Sequence, residues 1–290
     1  MANITLNRGL PGFSMTSSNV FDDVETLEIL TRTSTRLSLD DDGDRVSFIG
    51  SGIGYQMSGG NIVGITGGTV TGISITNANG GVSYVSWTGL SVSAKNLFTY
   101  AVTDNWTALN ALLFNTGDTF RLTDRADQVR GFGGNDTMYG FGGNDRLFGD
   151  AGNDKLYGGN GADRLDGGTG ADTLVGGAGV DTLAGGAGAD VFLFTHLGAA
   201  NRDIISDFKA VDDALQFDDA AFTAFAYTGQ LRAADFVQGT AAADRADRFI
   251  YQKSTGNLWY DADGSGAGAK VLVAELVDNT ALTAADIFII

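Results

Sequence analysis

The chain has 290 residues and a formal net charge of −17, with 18 Lys and Arg against 35 Asp and Glu. This charge argues against nucleic acid or an anionic membrane as the main partner, because both would repel the protein. The absence of Cys excludes a disulfide scaffold and a thiolate zinc site, and a single Pro excludes collagen. No run approaches the roughly 20 apolar residues of a membrane-spanning helix, so no membrane span is expected.

Two compositional features point to ion binding in turns. Gly occurs 43 times, and only three of the 35 acidic residues are Glu, which leaves 32 Asp. Asp is the shorter and more turn-compatible carboxylate, so this preference favours ligands for a hard cation in loops.

Residues 1–112 are predicted to form a strand-rich N-terminal cap. Residues 59–75 and 82–87 alternate like strands, whereas residues 94–113 have the apolar spacing of a short helical segment. The first twenty residues lack a basic stretch followed by an apolar one, so we expect no Sec signal peptide.

A tandem repeat follows the cap, within a domain that we predict at residues 113–193. From Gly131 the chain reads as seven nonapeptides, each with Gly at its first and fourth positions, Asp at its sixth and an apolar residue at its eighth. The aspartates are Asp136, Asp145, Asp154, Asp163, Asp172, Asp181 and Asp190, and two degenerate copies before them keep Asp118 and Asp127.

The residue types predict an all-β fold, a parallel β-roll or β-solenoid. Gly supplies the positive φ of a tight turn, and the last three residues of each repeat form a short strand with one buried side chain. Two repeats make one coil of 18 residues, so aspartates recur one above another at the turn edges. Stacked carboxylates repel unless cations lie between them, and Ca²⁺ accepts such carboxylate and carbonyl oxygens.

The nonapeptide resembles the calcium-binding repeat of the RTX (repeats-in-toxin, hemolysin-type) family. The resemblance implies that aspartates one coil apart share Ca²⁺, which pairs Asp136 with Asp154, Asp154 with Asp172, Asp172 with Asp190, Asp145 with Asp163 and Asp163 with Asp181. It also implies main-chain oxygen ligands at the first and third positions: Gly131, Gly133, Gly140, Gly142, Gly149, Ala151, Gly158, Asn160, Gly167, Thr169, Gly176 and Ala178. Ca²⁺ at Asp118 and Asp127 is not expected, because the flanking glycines are missing.

Residues 194–290 resemble the cassette that follows RTX repeats in type I secreted proteins, including the serralysin C-terminal domain. Residues 203–217, 249–263 and 284–290 carry the resemblance, which implies further strands that seal the roll and an uncleaved C-terminal export signal. Asp261 and Asp263 are candidates for one more Ca²⁺ turn, and a plain polar hairpin is the alternative.

The sequence leaves catalysis undecided and favours a non-enzymatic protein. The only His, His196, cannot supply the HExxH motif of serralysin proteases, and a GxSxG elbow is absent. Tyr139, Phe148 and Tyr157, at the ninth position, form either a sugar platform or ordinary packing on a sheet face.

The resulting hypothesis is a secreted Ca²⁺-binding RTX protein, extracellular or on the cell surface, that folds after export through a type I apparatus. It would act as a surface, matrix or adhesion component that meets polysaccharide or another extracellular protein. The alternative is an extracellular enzyme, for example one acting on polysaccharide, with its active site outside the repeats.

Overall fold

The computed structural model describes residues 116–290, except Thr123, Asp278 and Asn279, and the strands within residues 3–93. The chain divides into two compact units, residues 1–138 and 139–290. None of the helices in these described stretches has the length and apolarity needed to cross a membrane. The predicted domain boundaries at 112/113 and 193/194 stay predictions, and the predicted helical segment at 94–113 lies outside the described residues.

The first unit is built from an antiparallel sheet and the first short strands of the repeat region. The antiparallel strands pair in the order β2-β3-β4-β5-β6-β1, and β1 pairs in parallel with β7. Strands β5 and β6 fall where the sequence predicts alternating strands. The strands are β1 (Asn3–Leu6), β2 (Glu28–Thr33), β3 (Arg36–Asp41), β4 (Asp44–Ser58), β5 (Asn61–Asn77), β6 (Ser83–Ser93), β7 (Thr119–Arg121) and β8 (Gln128–Arg130), with β9 (Thr137–Tyr139) at the boundary between the units.

The second unit contains the β-roll that the repeat predicts. Its strands form two parallel stacks, β10-β12-β14 and β11-β13-β15, in which each residue pairs with the residue 18 positions later, as Lys155 does with Thr173. The strands are β10 (Arg146–Phe148), β11 (Lys155–Asn160), β12 (Arg164–Thr169), β13 (Thr173–Ala178), β14 (Thr182–Ala187) and β15 (Val191–Phe194). The apolar eighth residues of this unit form the core as predicted and are fully buried: Leu147, Leu156, Leu165, Leu174, Leu183 and Phe192. Met138, the eighth residue of the first repeat, belongs to the first unit and is also fully buried.

Strand length is one point on which the prediction was incomplete. Strands β9 and β10 have the expected three residues, but β11 to β14 have six and run on through the turn. The second position explains the difference. It carries Phe141 and Asp150 after the short strands, with φ of 68° and 70°, whereas Gly at this position opens φ to 103° at Gly159. At this wider angle the ladder continues through the turn, and Gly159 pairs with Gly177.

The C-terminal part continues both stacks and closes them, in agreement with the predicted sealing of the roll. Strand β16 (Asp203–Ile205) pairs in parallel with β14, and β17 (Ala214–Phe217) pairs in parallel with β15. The closing strands are β18 (Gly229–Gln230), β19 (Phe236–Gln238), β20 (Phe249–Gln252), β21 (Asn257–Tyr260), β22 (Val271–Leu276) and β23 (Ile287–Ile289), with 3-10 turns at Ala199–Asn201, Ala233–Asp235 and Ala284–Asp286. Phe217 lies in their core, stacked on Phe194 with ring centroids 4.7 Å apart.

Candidate metal centre

The repeat aspartates form buried ladders rather than projecting at the turn edges. In each ladder the Oδ1 of one Asp accepts the backbone N–H of the Asp one coil earlier. Asp145 donates to Asp163 at 2.7 Å, Asp154 to Asp172 at 2.7 Å, Asp163 to Asp181 at 2.8 Å and Asp172 to Asp190 at 3.0 Å. These four predicted pairs are therefore brought together. In the first unit Asp118 donates to Asp136 at 2.6 Å, so the degenerate copy also joins a ladder.

The second carboxylate oxygen of these ladders is the feature that suggests a cation. Among the described residues, the Oδ2 atoms of Asp163, Asp172, Asp181 and Asp190 are buried and accept no hydrogen bond. A buried charged oxygen without a partner costs several kcal/mol unless a cation or a proton compensates it. A carboxylate oxygen so placed is available as a ligand.

Main-chain oxygens converge on the same points. A Cβ built on Gly158 would meet both the Asp163 Oδ2 and the carbonyl oxygen of Gly176, one coil further on. The first position of the repeat is therefore where a carboxylate oxygen and a carbonyl oxygen from adjacent coils come close. These are hard oxygen donors, the type that Ca²⁺ prefers, so the residues present fit this ion.

The carbonyl oxygens of the third position have a different environment. Asn160, Thr169 and Ala178 accept the N–H groups of Gly143, Gly152 and Gly161 at 2.8–2.9 Å. A carbonyl oxygen retains a second lone pair, so the predicted ligand role at the third position stays open. Within the described residues no three His, Cys, Asp or Glu side chains cluster around one point. A site here would consequently combine carboxylates in pairs with main-chain oxygens.

The electrostatics of the ladders follow from burial and like charge. Burial raises the pKa of Asp163 to about 6, against the hydrogen bond from Asp145, and the neighbouring charge of Asp181 adds to the rise. Burial likewise raises the pKa of Asp172 to about 7, with further contributions from the charges of Asp154 and Asp190. Near neutral pH such carboxylates favour a bound proton or cation.

Two ladder residues were missed by the sequence analysis. Asp203 and Asp213 are buried and accept the N–H groups of Asp181 and Asp190 at 3.2 and 3.1 Å, although they stand 22 and 23 residues later instead of 18. Each is followed two residues later by a fully buried apolar side chain, Ile205 or Leu215, as in the repeats. This Asp-x-apolar pattern was the available signal, and the longer loops hid it.

The candidate turn at Asp261 and Asp263 has the geometry of a polar turn. The Asp263 carboxylate accepts the N–H of Gly268 at 2.9 Å, which lowers its pKa, and Asp261 accepts the N–H of Asp263 at 3.3 Å. Burial raises the pKa of Asp261. Both side chains thus have main-chain partners, and Ca²⁺ binding at this turn stays a prediction.

The ring geometry at the ninth position favours packing over a sugar platform. Tyr139 and Tyr157 stack with centroids 5.0 Å apart and ring planes 8° from parallel, so each covers one face of the other. A sugar platform needs exposed ring faces, and this stack leaves fewer of them.

Comparison with known proteins agrees with this geometry. The profile of the RTX calcium-binding nonapeptide repeat matches four overlapping segments, residues 115–146, 122–156, 139–174 and 157–192. A search of curated proteins finds no match. Similar solved structures include the AlgE6R3 subunit of the Azotobacter vinelandii mannuronan C5-epimerase, which is 25% identical with a TM-score of 0.23, over 60% of this chain and 78% of that chain. The chain therefore carries hemolysin-type RTX calcium-binding nonapeptide repeats between residues 115 and 192.

Proposed function

We propose that this is a secreted Ca²⁺-binding protein whose roll folds on extracellular Ca²⁺ after type I export. The observation that carries the proposal is the ladder of buried aspartates, in which four Oδ2 atoms have no hydrogen-bond partner among the described residues. The match to calcium-binding repeats supports Ca²⁺ as the ion. Export and a non-catalytic role as a surface, matrix or adhesion component are the further parts of this proposal.

The ligands follow from the ladder geometry. The Oδ2 atoms of Asp163 and Asp172, with the main-chain oxygens of Gly176 and Gly185 beside them, would hold Ca²⁺ between successive coils. The ion supplies positive charge where the chain buries like charges. The N–H groups of Asp145 and Asp154 donate to these two carboxylates and hold them in place before the ion arrives.

The free energy of ion binding is large enough to control folding. Extracellular Ca²⁺ modules bind with dissociation constants of roughly 10⁻⁴–10⁻³ M. At about ten times this constant each site contributes about 1.4 kcal/mol, so five sites contribute about 7 kcal/mol, which is comparable to the stability of a domain. At cytosolic Ca²⁺ this contribution vanishes, so the chain would stay unfolded for export.

Circular dichroism of the full chain tests this switch. In EGTA we expect the spectrum of a largely unfolded repeat region, and millimolar Ca²⁺ should produce the β spectrum cooperatively, whereas equal Mg²⁺ should not. The reason for the Mg²⁺ control is that this smaller ion demands near-ideal octahedral geometry and loses its waters reluctantly. A roll that is fully folded in EGTA would refute ion-gated folding.

A binding and turnover screen tests the extracellular role. The purified protein would be incubated with polysaccharides, lipids and peptides, with and without Ca²⁺. Ca²⁺-dependent binding without turnover supports a surface or matrix component. Turnover that is lost when an Asp outside the repeats is replaced would instead establish the enzymatic alternative.

A further inference from the structure

The ladders do not stop where the nonapeptide repeats stop. We call each hydrogen-bonded pair of successive ladder aspartates a step. On one edge of the roll the last step joins Asp181 to Asp203, and on the other edge it joins Asp190 to Asp213. Asp203 and Asp213 lie beyond residue 192, the end of the matched repeats. Strands β16 and β17 hold them in register, since Leu183 pairs with Ile205 and Phe192 with Leu215. The two final steps can therefore be compared directly.

The Asp190–Asp213 step has a cationic side chain of its own. Lys209 donates its backbone N–H to the Asp213 Oδ2 at 2.8 Å, and its ammonium group donates to the carbonyl oxygen of Gly186. The charge of Lys209 favours the ionised forms of both Asp190 and Asp213. Asp207 also approaches this edge, where it accepts the N–H groups of Gly185 and Gly186. The charge of Lys209 thus acts on this step from its position on the Gly186 carbonyl oxygen.

The Asp181–Asp203 step lacks such a lysine. Asp181 is 0% exposed and Asp203 is 3% exposed, and the Asp181 Oδ2, like the Asp190 Oδ2 of the other step, accepts no hydrogen bond from any described residue. The two carboxyl groups interact directly. In addition, the charge of Asp163 raises the pKa of Asp203, and the His196 imidazole acts to lower the pKa of Asp181. Arg202, next in sequence, forms its ion pair with Glu275 at 2.8 Å. Two buried carboxyl groups in contact need a cation or a shared proton between them.

We infer that Asp181 and Asp203 form an additional site for a hard divalent cation, with Ca²⁺ as the ion at extracellular concentrations, whereas Lys209 takes the place of the ion at Asp190 and Asp213. This inference rests on the proposed Ca²⁺ binding by the repeats. No carbonyl oxygen is among the atoms nearest to a Cβ built on Gly176, in contrast to Gly158 and Gly167. A carbonyl oxygen of the next coil is thus farther from this position than at the repeat sites, so we expect the site to bind Ca²⁺ more weakly.

Counting bound Ca²⁺ in the full chain tests the inference. Equilibrium dialysis against radioactive Ca²⁺ at neutral pH would compare the wild type with Asp203→Asn and with the matched control Asp213→Asn. Asp203→Asn should bind one ion fewer than the wild type, and Asp213→Asn should bind the same number. Equal numbers for Asp203→Asn and wild type would mean that a proton, and not a cation, joins the two carboxyl groups.

A gain-of-binding variant keeps the test independent of any folding defect in Asp203→Asn. Lys209→Met removes the resident cation, so this variant should bind one Ca²⁺ more than the wild type. An unchanged number would overturn the role given to Lys209. A wild type that binds no Ca²⁺ would refute the proposed function itself, whereas a wild type that binds Ca²⁺ without a change in either variant refutes only this inference.

Discussion

The first Gly of each repeat is required for space and not for backbone conformation. At Gly167 the backbone does not have a positive φ, yet a Cβ would collide with the Asp172 carboxylate and crowd the carbonyl oxygen of Gly185. The second and fourth positions differ, because Gly168 and Gly170 have φ of 99° and 134°. Glycines within one repeat thus answer two separate requirements, one of them tied to the candidate ion site.

Replacing Gly167 with Ala should therefore disturb Ca²⁺ binding more than it disturbs the backbone conformation. The methyl group displaces the Asp172 Oδ2, so we expect the Ca²⁺ concentration at half-folding to rise several-fold and the free energy of unfolding in Ca²⁺ to fall by about 1–3 kcal/mol. Gly239→Ala is the control, since the nearest atom to its Cβ is 3.9 Å away. Ca²⁺ titrations followed by circular dichroism measure both variants, and equal behaviour would contradict the spatial role of Gly167.

Asp172→Asn separates the charge of a ladder carboxylate from its hydrogen bond. The amide oxygen still accepts the N–H of Asp154, but a buried negative charge is removed. In EGTA we expect this variant to be at least as folded as the wild type, and in Ca²⁺ we expect it to bind fewer ions. Asp219→Asn, at an exposed position after β17, is the matched control and should leave Ca²⁺ binding nearly unchanged. A smaller folded fraction in EGTA than that of the wild type would show that the ladder carboxylate is not repelled by its neighbours.

At the scale of elements, the sequence period predicted the 18-residue coil but not the differences in strand length and loop length. The 18-residue register and the buried eighth residues such as Leu156 follow from strict repetition, because one buried side chain per three-residue strand fixes the inward face. The six-residue strands depend on Gly, in place of Phe or Asp, at the second position, a local backbone effect on φ that the consensus hides. Asp203 and Asp213 escaped prediction because loops of irregular length break the period before them.

The cap formed by the C-terminal strands should contribute strongly to roll stability. The Phe217 side chain is fully buried, with ring centroids 4.5 Å from Phe249 and 4.9 Å from Phe222. Phe217→Ala should lower the free energy of unfolding by about 3–5 kcal/mol. In a stacked repeat, a coil next to an uncovered end is also less stable. Phe288→Ala, at a half-buried position of β23, should cost about 1 kcal/mol. Chemical denaturation in Ca²⁺ measures both, and equal losses would argue against the capping role.

For the whole molecule, calcium and protons compete for the same buried charge. The formal net charge is −17, and five Ca²⁺ ions would offset ten of these charges. Residues 113–193 alone hold twelve Asp against six Lys and Arg. Because the ladders bury carboxylates next to each other, the metal-free roll is strained by like charge, and either Ca²⁺ or protonation relieves it.

The sign of the pH dependence follows from the direction of the pKa shifts. Burial raises the pKa of Asp163 to about 6 and that of Asp172 to about 7, from an ordinary value of 3.8. Folding without Ca²⁺ therefore takes up protons. The resulting stabilisation is fully present below pH 3.8 and is lost as the pH rises through about 6 to 7.

In a Ca²⁺-free buffer the fraction of folded protein should consequently be larger at about pH 5 than at about pH 8, the reverse of ordinary acid denaturation. Saturating Ca²⁺ should reverse this order, because ionised carboxylates bind the ion and protons compete with it. Circular dichroism at both pH values measures the folded fraction without Ca²⁺, and urea denaturation measures the stability with Ca²⁺. Asp172→Asn should reduce the pH dependence without Ca²⁺, whereas Asp219→Asn should not. A Ca²⁺-free protein that is more folded at pH 8 than at pH 5 would show that the pKa values of the ladder carboxylates are not raised, because folding would then release protons instead of binding them.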